Sequence, residues 1–436
     1  MRAICLTLPT NRPSAPMVTA ICAEAAYAAR HFPVEVHVLV LDSAAPGARA
    51  EHAAALAAVR PTPGVVTHHL DEDAQRAFLR AVIACAGLPK PELMLDLMLP
   101  ADVSYGACTN RAFLIAASLG CSSVHRRDSD SSYQELAGEP VYPVHHELTS
   151  LGEVARDAAP RVDATDLDAA HLDKPVVLVG ASFVGELSVD IGEIRQLDED
   201  VYRDVVGLWA PADWSAEQKR ELADESFTGA GTAPFTGDHA LLTLVDPMRL
   251  DMCNISFQQV HERVPLPPAT NTIGSDYFLM HLVHDAALPG VLHNRHIVNF
   301  YTTERRTDAG FMAYQLRFTK FFLSMLYLNA VYAAMAEAGP ALLDDAHQVR
   351  AERVSELVWD STRLPVTENE ERLDVLERSY RELGGRYATF AQSLAPRRQQ
   401  LLDEARHDME DFARLIDAWR PLVRASQATR IHPLDR

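Results

Sequence analysis

Asp128, Ser129 and Asp130 place two carboxylates one residue apart, at the end of a segment whose pattern predicts a strand. Carboxylates at that spacing present oxygens to one hard divalent cation, Mg2+ or Mn2+. Such an ion bridges the two phosphates of a nucleotide diphosphate. It neutralises the charge that grows on the leaving group as a glycosidic bond breaks. The competing reading is a solvated acidic loop, since D-x-D recurs by chance. A further carboxylate, Asp276, sits in Gly274-Ser275-Asp276. It has the chemistry to take a proton from an attacking hydroxyl, and it also has the chemistry to cap the apolar stretch Tyr277–Val283. His281/His284 and His293/His296 each lie three apart, a spacing that on a helix aims two imidazoles at one zinc. No acidic residue is fixed between the pairs.

The elements that must position these groups alternate over the first 130 residues. Ala3–Leu8, Val34–Leu41 and Val65–Leu70 read as strands, and Ser122–Arg127 feeds another into Asp128. Between them, Pro16–Ala29, residues 47–59, Asp73–Cys85 and Gly106–Leu119 carry a helical period. This βαβα order predicts an α/β fold with a mainly parallel sheet and helices on both faces. Ligands in such sheets bind beyond the carboxyl ends of the strands, which directs attention to Pro9–Arg12, Asp42 and Asp128–Asp130. Val176–Val179 and Leu241–Val245 are later strand candidates. Phe321–Ala336 reads as a buried helix, shorter than the roughly 20 apolar residues of a spanning one. Beyond it, Thr367 and Glu370 make a capping-box pattern, and Met409, Phe412, Ile416 and Trp419 fall at helical spacing. Three regions are therefore expected: 1–150, 151–315 and a helical 316–436.

The formal net charge is -20 over 436 residues. An acidic surface repels nucleic acid and anionic membrane, so neither is expected as a partner. It also repels a nucleotide diphosphate, which therefore needs local cations or a bound metal. Six cysteines at 5, 22, 85, 108, 121 and 253 lack the spacing of a zinc or redox motif and suit buried thiols in a reducing cytoplasm. The N-terminus shows no secretory pattern, and a cytoplasmic location is the expectation.

Ser104–Arg111, Ser-Tyr-Gly-Ala-Cys-Thr-Asn-Arg, is followed by an apolar helix and the strand into Asp128. In this order of parts the chain resembles the nucleotide-sugar domain of the GT-A glycosyltransferases, especially non-processive ones akin to glycosyltransferase family 2. Its overall look is that of actinobacterial proteins of unassigned role. The resemblance covers residues 2–130 well and 246–305 more weakly. It implies a GT-A, Rossmann-like domain with a helical C-terminal addition, acting as a hexosyltransferase with Mn2+ or Mg2+. The donor would be a UDP- or GDP-sugar and the acceptor a small molecule, in specialised metabolism.

By that resemblance, Pro9, Thr10, Asn11, Arg12, Asp42, Asn110, Arg111, Asp128 and Ser129 would contact the nucleotide sugar. Here Asn110-Arg111 reverses the usual Arg-Asn order. Met252–Phe257 followed by Asp276 matches an acceptor-side segment whose acid serves as base, with Ser275 in place of a first acidic residue. Asp128, Asp130 and a late histidine, His293 before His296, would hold the metal, and Arg295 and Arg305 would approach the diphosphate. The absent Q-x-x-R-W motif argues against a polysaccharide synthase. A sugar-phosphate nucleotidyltransferase, whose Gly-rich G-x-G-x-R loop after the first strand is missing from this chain, and a non-catalytic nucleotide-sugar binder are the rival readings. A homodimer through the C-terminal helices is a further expectation.

Overall fold

A computed structural model describes residues 2–187, 191–302 and 306–429. The early strands are β1 (Arg2–Thr10), β2 (Val34–Asp42), β3 (Val65–Asp71) and β4 (Ser123–Arg127), then the short β5 (Ser131–Tyr133), β6 (Glu135–Leu136) and β7 (Glu139–Pro140). Later come β8 (Ala164–Asp166), β9 (Leu178–Gly180), β10 (Phe183–Gly185), β11 (Ala240–Thr243), β12 (Asn254–Gln258), β13 (Gly290–His293) and β14 (Ile297–Asn299). Nine of these strands form one sheet in the order β3-β2-β1-β4-β12-β9-β13-β11-β8.

β1 to β4 are mutually parallel, and β12 runs antiparallel to both its neighbours, β4 and β9. β13 is parallel to β9, whereas β11 opposes β13 and carries β8 with it. The sheet is thus mixed and mostly parallel. β2, Val-Glu-Val-His-Val-Leu-Val-Leu-Asp, is buried at all but its second residue, as a strand covered on both faces must be.

The chain steps from β1 to β2 to β3 in one direction, then returns to lay β4 on the other side of β1. That reversal opens a crevice between the carboxyl ends of β1 and β4. β12, running the other way, brings the residues just before it to the same edge. One face of the sheet is packed by helix Ala15–His31 through Met17, Val18 and Ile21, with Val144 alongside. The other is packed by helices Glu72–Ala86 and Tyr105–Ser118 together with the C-terminal helices.

The C-terminal region is helical, as its periodicity implies: Asp308–Ala338, Ala351–Ser361, Thr367–Leu383, Gly385–Leu394 and Arg398–Ala428. Its apolar stripes are core. Trp419 is fully buried and its indole N–H donates to the His261 carbonyl at 2.9 Å. Helix Asp308–Ala338 is long and apolar enough, by length and composition, to cross a membrane, and half of its most apolar stretch is buried within the protein. Phe318, Phe322, Leu323 and Tyr327 are among its buried residues.

The expected capping box at Thr367 does not form. The helix begins at Thr367 itself, and no side chain caps it. The thiols are all unpaired, but only four are buried: Cys85 is exposed and Cys108 is half-buried.

Candidate active site

A cavity of about 440 Å3 opens at the carboxyl edge of the sheet. The residues following β1, Pro9 to Arg12, and those following β4, Asp128 to Asp130, line it from either side of the crevice. Alternation along β4 decides which charges face it. His125 and Arg127 point to the Glu24 and Glu147 side, and Arg126 points into the cavity.

Arg126 is the hub. Its Nη1 donates to Asp276 Oδ2 at 2.6 Å, and its Nη2 lies 3.1 Å from Asp128 Oδ1. Burial opposes the arginine's charge, but Asp128 and Asp276 outweigh it and hold its pKa well above the ordinary value. Burial pushes Asp128 up to about 6, and the carboxylates of Asp130, Asp251 and Asp276 add to the rise against the pull of Arg126. Asp130 receives Arg12 Nη1 at 2.9 Å, across the crevice. The same nitrogen reaches Thr302 Oγ1 at 3.2 Å.

Two of these groups, Arg126 and Asp251, lie outside the residues the sequence pattern singles out. Asp251 accepts from the Tyr277 hydroxyl at 2.8 Å and the Cys253 amide at 2.9 Å, and burial raises its pKa. Arg126 carried a signal, since it stands two residues before Asp128 and so shares its face of the strand. Asp251 carried less: it precedes the Met252–Phe257 segment, but only the antiparallel course of β12 brings it to this edge.

The other expected residues divide. Pro9, Thr10, Asn11, Arg12, Arg111, Ser129 and Asp276 line the cavity with the two aspartates. Asp276 does not cap a helix. The turn Ser275–Tyr277 has no side-chain cap, and the carboxylate serves Arg126 instead. Arg111 is spent locally, on Gln75 Oε1 at 2.7 Å and the Met98 carbonyl at 2.6 Å, and burial lowers its pKa. Asn110 clamps the Leu266 backbone through both its amide and its carbonyl, each at 2.8 Å, and does not line the cavity.

His293 and Arg295 are not brought to the aspartates. His293 is buried on the other face of the sheet, its ring stacked 5.2 Å from His146, and burial drives its pKa well down. Arg295 grips Asp238 at 2.6 and 2.8 Å and the Tyr142 carbonyl at 2.8 Å. β13 ends there, several strands away from β4, which is why a late histidine in the right sequence order misses the site. His296 is likewise outside the cavity lining. Arg305 lies outside the described residues.

Asp42 is fully buried and does not line the cavity. It closes a group with His52 and His69 whose ligand-type atoms all lie within 4.8 Å of one another. Hydrogen bonds account for this group. The Ser14 amide donates to His52 Nε2 at 2.9 Å, so that nitrogen carries no proton. The proton of neutral His52 is then on Nδ1, aimed at Asp42 Oδ2 at 2.8 Å, with His69 Nε2 at 2.7 Å from the same oxygen.

The model of a family of unknown function, DUF6271, matches residues 2–434. The chain belongs to that family. No curated protein matches the sequence. Among solved structures, the DUF6271 chain is similar to the mannosyltransferase PcManGT from Pyrobaculum calidifontis in complex with GDP-Man and Mn2+. The identity is 12% over 94% of this chain and 86% of that one, with a TM-score of 0.34.

Proposed function

We propose that this protein is a GT-A-type glycosyltransferase that moves a sugar from a UDP- or GDP-linked donor to a small-molecule acceptor with the help of Mn2+ or Mg2+. The observation that carries the reading is the pairing of Asp128 and Asp130 with Arg12 and Arg126 at the crevice between the carboxyl ends of β1 and β4. Four carboxylates, Asp128, Asp130, Asp251 and Asp276, line one cavity. Burial first, and then that crowding, raises the Asp128 pKa, and a divalent cation relieves the crowding.

Asp128 and Asp130 are the residues to hold the ion, which when bound neutralises the charge of the leaving diphosphate. Arg12 sits where it can pass from Asp130 to a phosphate oxygen. The acceptor hydroxyl attacks the anomeric carbon, the bond from that carbon to the diphosphate oxygen breaks, and the diphosphate departs with the electron pair. Asp276 takes the hydroxyl proton, held in place by Arg126. In-line attack inverts the anomeric configuration.

The test is release of free nucleoside diphosphate from UDP- and GDP-sugars by the full chain, with and without Mn2+. Metal-dependent release supports the reading. Pyrophosphate as the product would assign a nucleotidyltransferase instead, and no product from any donor–acceptor pair would leave a binding protein.

A further inference from the structure

Away from the aspartates, the cavity changes character. Its far wall is built by helix Asp308–Ala338, through Tyr314, Phe321, Met325, Leu328 and Tyr332, and by Trp209 and Phe227 from the segment before β11. Trp209 stands edge-on to Phe321, 5.4 Å between centroids at 73°, and 5.8 Å from Phe227. His281, which also lines the wall, stacks on Tyr332 at 3.8 Å and 12°. Burial holds its imidazole uncharged, with a pKa of about 3. The Asn329 carboxamide beside this wall is already spent on the Trp209 carbonyl at 3.0 Å. Glu225 is the acidic residue of this segment that lines the cavity, and it is exposed.

The apolar wall adjoins the charged end directly. Gly274 has φ +71°, and a Cβ there would come within 2.7 Å of Phe321 Cε2. Glycine lets the backbone lie against the ring. Asp276 follows two residues later, so the Phe321 ring and the Asp276 carboxylate border one space.

We propose that the acceptor is a small molecule with a flat, apolar ring system bearing a hydroxyl or amine, held against Trp209 and Phe321 with that substituent toward Asp276. The inference rests on the transferase reading above and names its acceptor class. A sugar acceptor needs paired polar side chains around its hydroxyls; this wall is mainly Trp, Phe, Met and Leu, with Tyr314, Tyr332 and the stacked His281 as its polar-tipped members. Offset and edge-on aromatic faces suit a flat ring.

The probe is 7-hydroxy-4-methylcoumarin, with binding to the full chain followed by its fluorescence. Methyl glucoside and decyl phosphate serve as competitors, and nucleotide binding with Mn2+ is measured in parallel by calorimetry. The coumarin is expected to bind, and neither competitor to displace it. Trp209→Leu should weaken it by about tenfold, the loss of one aromatic contact. Leu328→Phe, which fills the cavity without opening the core, should weaken it by at least as much. Both variants should keep nucleotide binding. Displacement by methyl glucoside or decyl phosphate, or coumarin affinity unchanged in both variants, overturns the inference even where nucleotide binding stands. Loss of nucleotide binding in the unsubstituted chain would instead strike the transferase reading.

Discussion

Arg126 donates to Asp276 at 2.6 Å from the strand that ends just before Asp128, so the proposed base and a proposed metal ligand share one buried cation. An asparagine at 276 can still accept from Arg126 through its amide oxygen, which preserves the geometry while removing the base. Asp276→Asn is therefore expected to cut turnover by roughly 10^2 to 10^4 and to leave nucleotide affinity nearly unchanged. Steady-state rates beside calorimetry read this, and product NMR should show inversion. A retained configuration or near-normal turnover would remove Asp276 from the base role.

Asp128→Ala and Asp130→Ala bear on the metal. Both carboxylates are bonded at the cavity face rather than within the apolar core, so the fold should survive either change. Calorimetry with UDP and GDP is expected to lose its Mn2+ dependence in both variants. Unchanged metal-dependent affinity would end the assignment of these residues.

How far the sequence disclosed this site depends on distance along the chain. β1 to β3 were legible because each is a short run rich in apolar residues, separated from the next by one helix, and β4, Ser-Val-His-Arg-Arg, followed from the apolar helix before it. Parallel βαβ order then puts residues 9–12 and 128–130 at the same edge of the sheet, and the pairing of β4 with β1 makes them neighbours. The later half was not legible in that way. β12 runs antiparallel, β9 and β13 insert beyond it, and only that pairing decides that Asp251 reaches the aspartates while His293 and Arg295 do not. Asp42 failed for a different reason. It does stand at the carboxyl end of β2, but His52 and His69 reach back from the next helix and strand to bury it.

The Asp42 group should behave as a hydrogen-bonded core rather than an ion site. Zinc at equimolar concentration is expected to leave the melting temperature unchanged. Asp42→Ala should destabilise the fold by about 1–3 kcal/mol, since it strands two imidazole donors. Saturable zinc binding lost in Asp42→Ala would show that His52 gives up its proton to a metal.

Behind β4, Arg127 satisfies Glu24 at 2.8 and 3.1 Å and Glu147 at 3.0 Å, with every side chain fully buried. Arg127→Met would leave two carboxylates buried without their cation. A loss of about 3–5 kcal/mol in urea denaturation is expected. A change below about 1 kcal/mol would mean that the carboxylates find water or protons instead.

His261 sets an acid limit on stability. It is buried beside Phe113 at 5.0 Å between ring centroids, and its Nδ1 finds no partner among the described residues. Burial, reinforced by His125, lowers its pKa from 6.5 to about 3. The folded state therefore binds fewer protons than the unfolded one between those values. The stability it confers is fully present above pH 6.5 and falls as the pH drops toward the folded pKa. At pH 5 this single group should cost about 2 kcal/mol relative to pH 8, from 1.36 kcal/mol per pH unit over roughly 1.5 units. His261→Leu removes the titration and the unpartnered nitrogen together. Urea denaturation at pH 5 and pH 8 should show the two proteins comparable at pH 8 and the variant ahead by about that amount at pH 5. His68, His145 and His281, also held low by burial, keep their own shares of the acid slope in both proteins, so the difference between the two isolates His261. Parallel pH dependences in the two would mean that the imidazole is reached by water in the folded state.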